Sequence, residues 1–149
     1  MKKSERIRDF LDQLAVTPGT FDPRYTGYFA CFNAQQYYEA HDVLEDLWLG
    51  DRGPDHHFYK GLIQLAGAFV HLQKQAARPA HPKDGKRLRP AVRLFHLATR
   101  NLTPYAPRHH GLDVAQVLAL AEHCSGTITA SNYQTNPWQP ATAPQLAPT

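Results

Sequence analysis

Tyr37-Tyr38-Glu39-Ala40-His41-Asp42-Val43-Leu44-Glu45-Asp46-Leu47-Trp48-Leu49-Gly50 and, after a short break, His56-His57-Phe58-Tyr59-Lys60-Gly61-Leu62-Ile63-Gln64-Leu65-Ala66-Gly67-Ala68-Phe69-Val70-His71-Leu72 are the two runs on which the fold turns. The first reads as a helix from about Ala34 to Leu49, with Asn33 as N-cap and Gln36 as its capping-box partner. Gly50 and Gly53 stop it. The second reads as a helix from His56 to Gln75, with Asp55 as N-cap. Its centre is apolar almost all round, which marks a helix buried on most sides. Gly61, Ala66, Gly67 and Ala68 keep it thin, so neighbouring helices can approach closely. Asp51 to Pro54 make the connection ahead of the Asp55 cap, and so short a connection makes the two helices an antiparallel hairpin.

The rest of the chain adds helices on either side. Ile7, Phe10, Leu11 and Leu14 recur at i, i+3, i+4 and i+7, an amphipathic stripe that starts after Ser4 and ends before Thr17-Pro18-Gly19. Tyr25, Tyr28, Phe29 and Phe32 mark a short helical stretch beyond Pro23. Another helix begins or kinks at Pro90 and runs to Leu102, with Ala91, Leu94, Phe95 and Ala98 on its stripe. Asp113 caps a last helix, with Leu112 and Val117 as a hydrophobic staple, and Gly126 closes it. No segment alternates with period two strongly enough to claim a strand. The expected fold is therefore all-α, a compact bundle of about five helices around the central hairpin. Residues 1–126 form its single domain. From Thr127 the periodicity disappears, and Pro137, Pro140, Pro144 and Pro148 read as a disordered or loosely docked tail over 127–149.

Composition narrows the function classes. The 149 residues suit one domain, and the formal charge of +3 is too mild to imply nucleic acid by itself. The charge is uneven, with acids concentrated in 39–55 and bases in 74–100. Lys83, Lys86, Arg87, Arg89 and Arg93 could meet phosphates, but no aromatic residue interleaves them as a single-strand surface requires. Solvated helix faces account for them more simply. Cys31 and Cys124 have no metal-ligand or redox spacing, and both sit in apolar contexts, which suits a reducing cytoplasm. The start of the chain carries charged residues in place of a signal-peptide apolar region, and the longest apolar segment, Gly61 to Leu72, is too short to span a bilayer. A homo-oligomer is compatible with this reading.

The runs Phe32-Asn33-x-x-x-Tyr37-Tyr38-Glu39-Ala40-His41-Asp42-x-Leu44-Glu45-x-x-Trp48 and Tyr59-Lys60-Gly61-Leu62-Ile63-Gln64-x-Ala66, with the later His71 and Gly111-Leu112-Asp113-Val114, resemble the prokaryotic family known as domain of unknown function 309. The resemblance extends from about Tyr28 to Leu118. It implies a compact helical bundle, in agreement with the periodicity, and carries no activity with it. Members usually have Glu where this chain has Asp42.

The expected site lies in the hairpin. Tyr38, His41, Glu45 and Trp48 share a face at spacings of three, four and three, with Asp42 beside them. Lys60, Gln64, Gly67 and His71 share a face of the next helix. An antiparallel hairpin sets Glu45 opposite Lys60, His41 opposite Gln64, and His71 near the first turn, a ladder of polar pairs. Buried polar groups require such partners, at about 1–3 kcal/mol for each one left unsatisfied. Tyr38, His41, Asp42, Glu45, Trp48, Lys60, Gln64 and His71 are the ligand-binding candidates. His41, Glu45 and His71 are the candidate ligands of a divalent metal, since imidazole and carboxylate suit zinc, iron or manganese. The obstacle is reach. His71 lies seven residues beyond Gln64, about 10 Å along the axis. The alternative is an interaction scaffold in which the cluster only fixes packing register. No catalytic nucleophile announces itself. His56-His57 and His109-His110 read as exposed pairs.

Overall fold

The structure, a computed structural model, describes residues 2–13 and 20–149. Among the described residues six helices run in the order α1 (Lys3–Gln13), α2 (Pro23–Asn33), α3 (Tyr37–Gly50), α4 (His56–Ala77), α5 (Leu88–Leu102) and α6 (Val114–Ala130). Leu14 and the Thr17-Pro18-Gly19 stop lie outside the described residues. Short 3₁₀ turns follow at Thr103–Tyr105 and Pro140–Thr142. The chain is thus an all-α bundle, as its periodicity implies. Among the described residues no helix is long and apolar enough to cross a membrane.

Helix α4 is the centre. It packs on α3 along one side and on α5 along the other, while α2 covers α3 and α6 covers α5. Gly61 permits the α4–α5 approach. A Cβ there would lie 2.6 Å from Leu102 Cγ and 3.3 Å from the Ala98 carbonyl oxygen. The core is strongly aromatic. Tyr28, Phe32, Tyr37, Phe58, Phe69 and Phe95 are all buried, and burying such a side chain contributes about 1.5–3 kcal/mol. The Tyr28 hydroxyl donates to the Leu62 carbonyl at 2.6 Å, so a polar group is carried into this core without loss. Cys31 and Cys124 are buried free thiols. Burial pushes both up to about 12, which keeps them protonated and inert.

Four sequence expectations are corrected. Asn33 is the last residue of α2 rather than the cap of α3, and Gln36, at the N-cap of α3, makes no side-chain cap bond. Asn33 spends its amide on the backbone of Leu146, so a distant segment outbids the local capping box. Gly126 does not end α6, which continues to Ala130. A helical glycine costs only about 1 kcal/mol, and the buried Ile128 beyond it supplies a reason to continue.

The residues beyond α6 are docked, contrary to a reading of them as disordered or loose. Trp138 and Leu146 are buried. The Trp138 indole donates to the Tyr37 hydroxyl at 2.9 Å, and Asn136 Nδ2 donates to the Leu72 carbonyl at 2.8 Å. Proline-rich composition removes helical periodicity, but it does not prevent an extended strap from burying two large side chains. Lastly, Arg108–His109 and Leu112–Asp113 form a two-residue antiparallel pairing where no strand was expected. His110 (φ 47°) and Gly111 (φ 74°) make its turn. Two consecutive positive φ angles are the signature of a tight hairpin turn whose twist matches its strands.

Candidate metal centre

The polar ladder expected across the α3–α4 hairpin does not form. Helix α3 buries Tyr37, Ala40, Val43, Leu44 and Leu47. That apolar line sets its rotation and leaves Tyr38, His41 and Glu45 beside the interface rather than in it. Tyr38 is 61% exposed and lies over the His41 ring. Glu45 accepts from Lys3 Nζ at 2.6 Å, and Asp42 lies 3.9 Å from the same ammonium group. His41 Nδ1 is 3.1 Å from Asp42 Oδ1 and its Nε2 is 3.9 Å from Glu45 Oε2.

The α4 partners are engaged elsewhere. Lys60 lies over the Trp48 ring at 5.2 Å, and His56 stacks on that ring at 5.0 Å. Trp48 therefore braces the hairpin turn. Gln64 accepts from Asn101 of α5 at 2.7 Å. His71 Nδ1 faces Arg87 Nη1 at 3.2 Å. Burial, then the positive charge of Arg87, holds the His71 imidazole below its ordinary value and favours the neutral ring as acceptor. The geometry thus separates His71 from His41 and Glu45, and the three do not converge as ligands.

One prediction follows. Lys3 and Glu45 are 42% and 28% exposed, and a surface pair of this kind contributes about 0–1 kcal/mol. Chemical denaturation of Glu45→Ala should show a loss within that range. A loss of several kcal/mol would return Glu45 to a buried pair.

Convergence occurs instead at the far end of α4. Among the described residues Asp55, His109 and His110 form a group whose ligand atoms all lie within 4.8 Å of one another. His109 Nε2 is 2.7 Å from Asp55 Oδ1, and His110 Nε2 is 2.7 Å from Asp55 Oδ2. Asp55 stands just before α4 and makes no side-chain cap bond to that helix, because both oxygens are turned to the imidazoles. Adjacent residues on a strand point to opposite faces. The two rings converge because His110 has left the strand and occupies the positive-φ turn.

The surroundings hold this arrangement. His109 packs edge-on to Phe58 at 4.7 Å and against Tyr105 at 4.8 Å. His110 lies parallel to Tyr59 and edge-on to Tyr25. The Tyr105 hydroxyl donates to the Pro54 carbonyl at 2.7 Å, and the Tyr25 hydroxyl donates to the His110 carbonyl at 3.1 Å. These two bonds pin the backbone beside the carboxylate and beside one imidazole. Such outer contacts are what keeps a ligand set in place.

The electrostatics favour a cation. Burial pushes the Asp55 carboxyl up, but the hydrogen bonds from His110 and His109 outweigh it, and its net position is below the ordinary value. Asp55 is therefore ionised. Burial, then the charge of Asp55, pushes the neighbouring Tyr59 phenol up to about 12. The three ligand side chains keep 20–32% of their surface exposed, which gives an ion access. Two imidazole nitrogens and a carboxylate oxygen suit zinc or another divalent first-row ion. Bonds of about 2.0–2.2 Å place tetrahedral ligands roughly 3.3 Å apart. The set spans distances on both sides of that spacing, from 2.7 Å for each Nε2 to its carboxylate oxygen to no more than 4.8 Å across the group, and loading an ion would exchange the imidazole protons for the metal.

Sequence reasoning passed over this group because its members are 54 and 55 residues apart. The accessible signal was His110-Gly111, a dipeptide able to adopt a positive-φ turn between two pairing residues. A separate cleft of about 350 Å³ lies between α1 and the α2–α3 pair, lined by Arg8, Asp22, Arg24 and Asp46 among others. Of its two guanidinium groups, that of Arg24 is already committed, since it pairs with Asp22 at 2.9 Å and with Asp46 at 2.8 Å.

Residues 25–82 match the model of the family described as "Domain of unknown function (DUF309)". The matched segment contains both the Phe32–Trp48 and Tyr59–Ala66 runs, so the resemblance read from them holds there. It covers α2 from Tyr25, all of α3 and α4, and Asp55. The Gly111–Val114 run and both ligand histidines fall outside it. No curated protein and no solved structure matches the chain.

Proposed function

We propose that this protein is a helical-bundle metalloprotein that binds one divalent transition ion, zinc in class, through Asp55, His109 and His110. The observation that carries the reading is the bifurcated use of one carboxylate. Each Asp55 oxygen meets a different imidazole Nε2 at 2.7 Å. Three ligands leave a coordination position for water or an anionic group. A divalent ion held by Asp55, His109 and His110 would supply Lewis-acid chemistry there, activating a bound water at near-neutral pH. The metal expected at His41, Glu45 and His71 thus finds its support at a different set of residues.

The test is calorimetric titration of tag-free protein with Zn²⁺, together with the visible spectrum of the Co²⁺ form. One ion per chain is expected, with a low-coordinate Co²⁺ band. Asp55→Asn, His109→Ala and His110→Ala should each weaken binding by about 100-fold or more, since loss of even an outer partner costs 10–100-fold, while His41→Ala leaves it unchanged. Undiminished binding in all three ligand variants would sink the assignment. Loss of binding in His41→Ala alone would move the metal to α3.

A further inference from the structure

His110 stands in a two-residue turn and His109 immediately before it, and the docked strap beyond α6 closes on that same turn. The Thr149 amide donates to the Gly111 carbonyl at 2.8 Å. Arg108 Nη2 bridges the two segments, donating to the Gly111 carbonyl at 3.1 Å and to Thr149 Oγ1 at 2.8 Å. The packing leaves no room for a side chain at Gly111. A Cβ on Gly111 would lie 2.5 Å from the Thr149 carbonyl oxygen. Glycine is needed here both for its positive φ and for this close approach.

The strap is fixed upstream as well as at the turn. Asn33 clamps Leu146 through two bonds of 2.7 Å, one to its carbonyl and one from its amide. Gln35 Nε2 donates to the Pro140 carbonyl at 2.9 Å, and the Trp138 indole is seated on Tyr37. These anchors all lie on residues 33–37, between α2 and α3. One continuous segment therefore links the α2–α3 corner to the histidine-bearing turn.

We infer that strap docking and metal occupancy at Asp55, His109 and His110 are thermodynamically coupled. The inference rests on the metal assignment above. The strap restricts the turn to the conformation in which both Nε2 atoms face Asp55. An ion held by those atoms restricts the same turn and so favours the strap. Each event removes freedom that the other would otherwise have to remove, and coupling between binding events is reciprocal. Arg108 and Thr149 act as positioning residues, with neither touching the ion. The consequence is a metal-responsive strap, held down when the site is loaded and released more often when it is stripped.

The full chain tests this in two measurements. Amide hydrogen exchange with and without Zn²⁺ should show the Leu146 and Thr149 amides protected about fivefold or more by the ion, the lower end of coupling between linked sites. Arg108 is exposed, so Arg108→Ala should fold normally. It should weaken Zn²⁺ affinity by a similar factor, about fivefold, because the coupling works in both directions. Unchanged strap exchange together with wild-type affinity in Arg108→Ala would overturn the coupling and leave the metal assignment standing. Absence of Asp55-dependent Zn²⁺ binding in the wild type would remove both.

Discussion

Trp138→Ala is expected to lower unfolding free energy by about 3–5 kcal/mol, the usual cost of truncating a buried large aromatic residue. The side chain is 6% exposed. Its ring meets the Tyr37 ring edge-on at 6.1 Å, and its indole N–H is bonded to the Tyr37 hydroxyl. Truncation would open a cavity against the α3–α4 interface and leave that hydroxyl without its donor. Trp138→Phe separates the two effects. It keeps most of the apolar volume and loses the bond, at a cost nearer 1 kcal/mol. Urea denaturation of both variants decides the matter. A loss below about 0.5 kcal/mol for the alanine variant, the range of ordinary surface changes, would mean that the strap contributes no core.

The second large effect is expected at Asp55. Asp55→Ala removes the acceptor of two imidazoles in a single change. Hydrogen bonds to a charged group are worth about 1.5–3 kcal/mol, and a loss in that range is expected in metal-free protein. In the presence of Zn²⁺ the gap should widen, because the variant loses the stabilisation that comes from ligand binding to the native state.

The acid limb of stability carries the same signature. The Asp55 carboxyl is held below its ordinary value in the folded protein. At pH values above the ordinary carboxylate value its stabilising contribution is fully present. It is lost as pH falls through the lowered folded value. Asp22 and Asp84, held down by Arg24 and Arg87 respectively, contribute to the same limb. The informative quantity is therefore the difference between wild type and Asp55→Ala, which should shrink as pH is lowered below about 4. A difference that stays constant from pH 7 to pH 3 would show that Asp55 stabilises the fold by something other than its charge.

Much of the bundle was legible in the chain because helices are specified locally. The stripe of Ile7, Phe10 and Leu11, the apolar run from Leu62 to Val70, the cap at Asp113 and the stop at Gly50 involve residues within a few turns of one another. Periodicity reads such information directly. Gly61 belongs to the same class, since an unbranched position amid a buried helix announces a close neighbour before that neighbour is known.

What the tertiary structure alone decided was the rotation of each helix and the pairing of distant polar groups. On α3 the line that buries the most apolar surface is Tyr37–Ala40–Leu44–Leu47, and it competes with the adjacent Tyr38–His41–Glu45 line for the interface. The apolar line wins because hydrophobic burial scales with area, whereas a charged side chain remains cheap only while it keeps water or a partner. Once α3 takes that rotation, Glu45 meets Lys3 instead of Lys60, and the expected ladder dissolves. Asp55 and the two histidines show the converse. Nothing in either local segment requires the other, and only the packing of α4 against α5, followed by the turn at His110-Gly111, brings one carboxylate between two imidazoles.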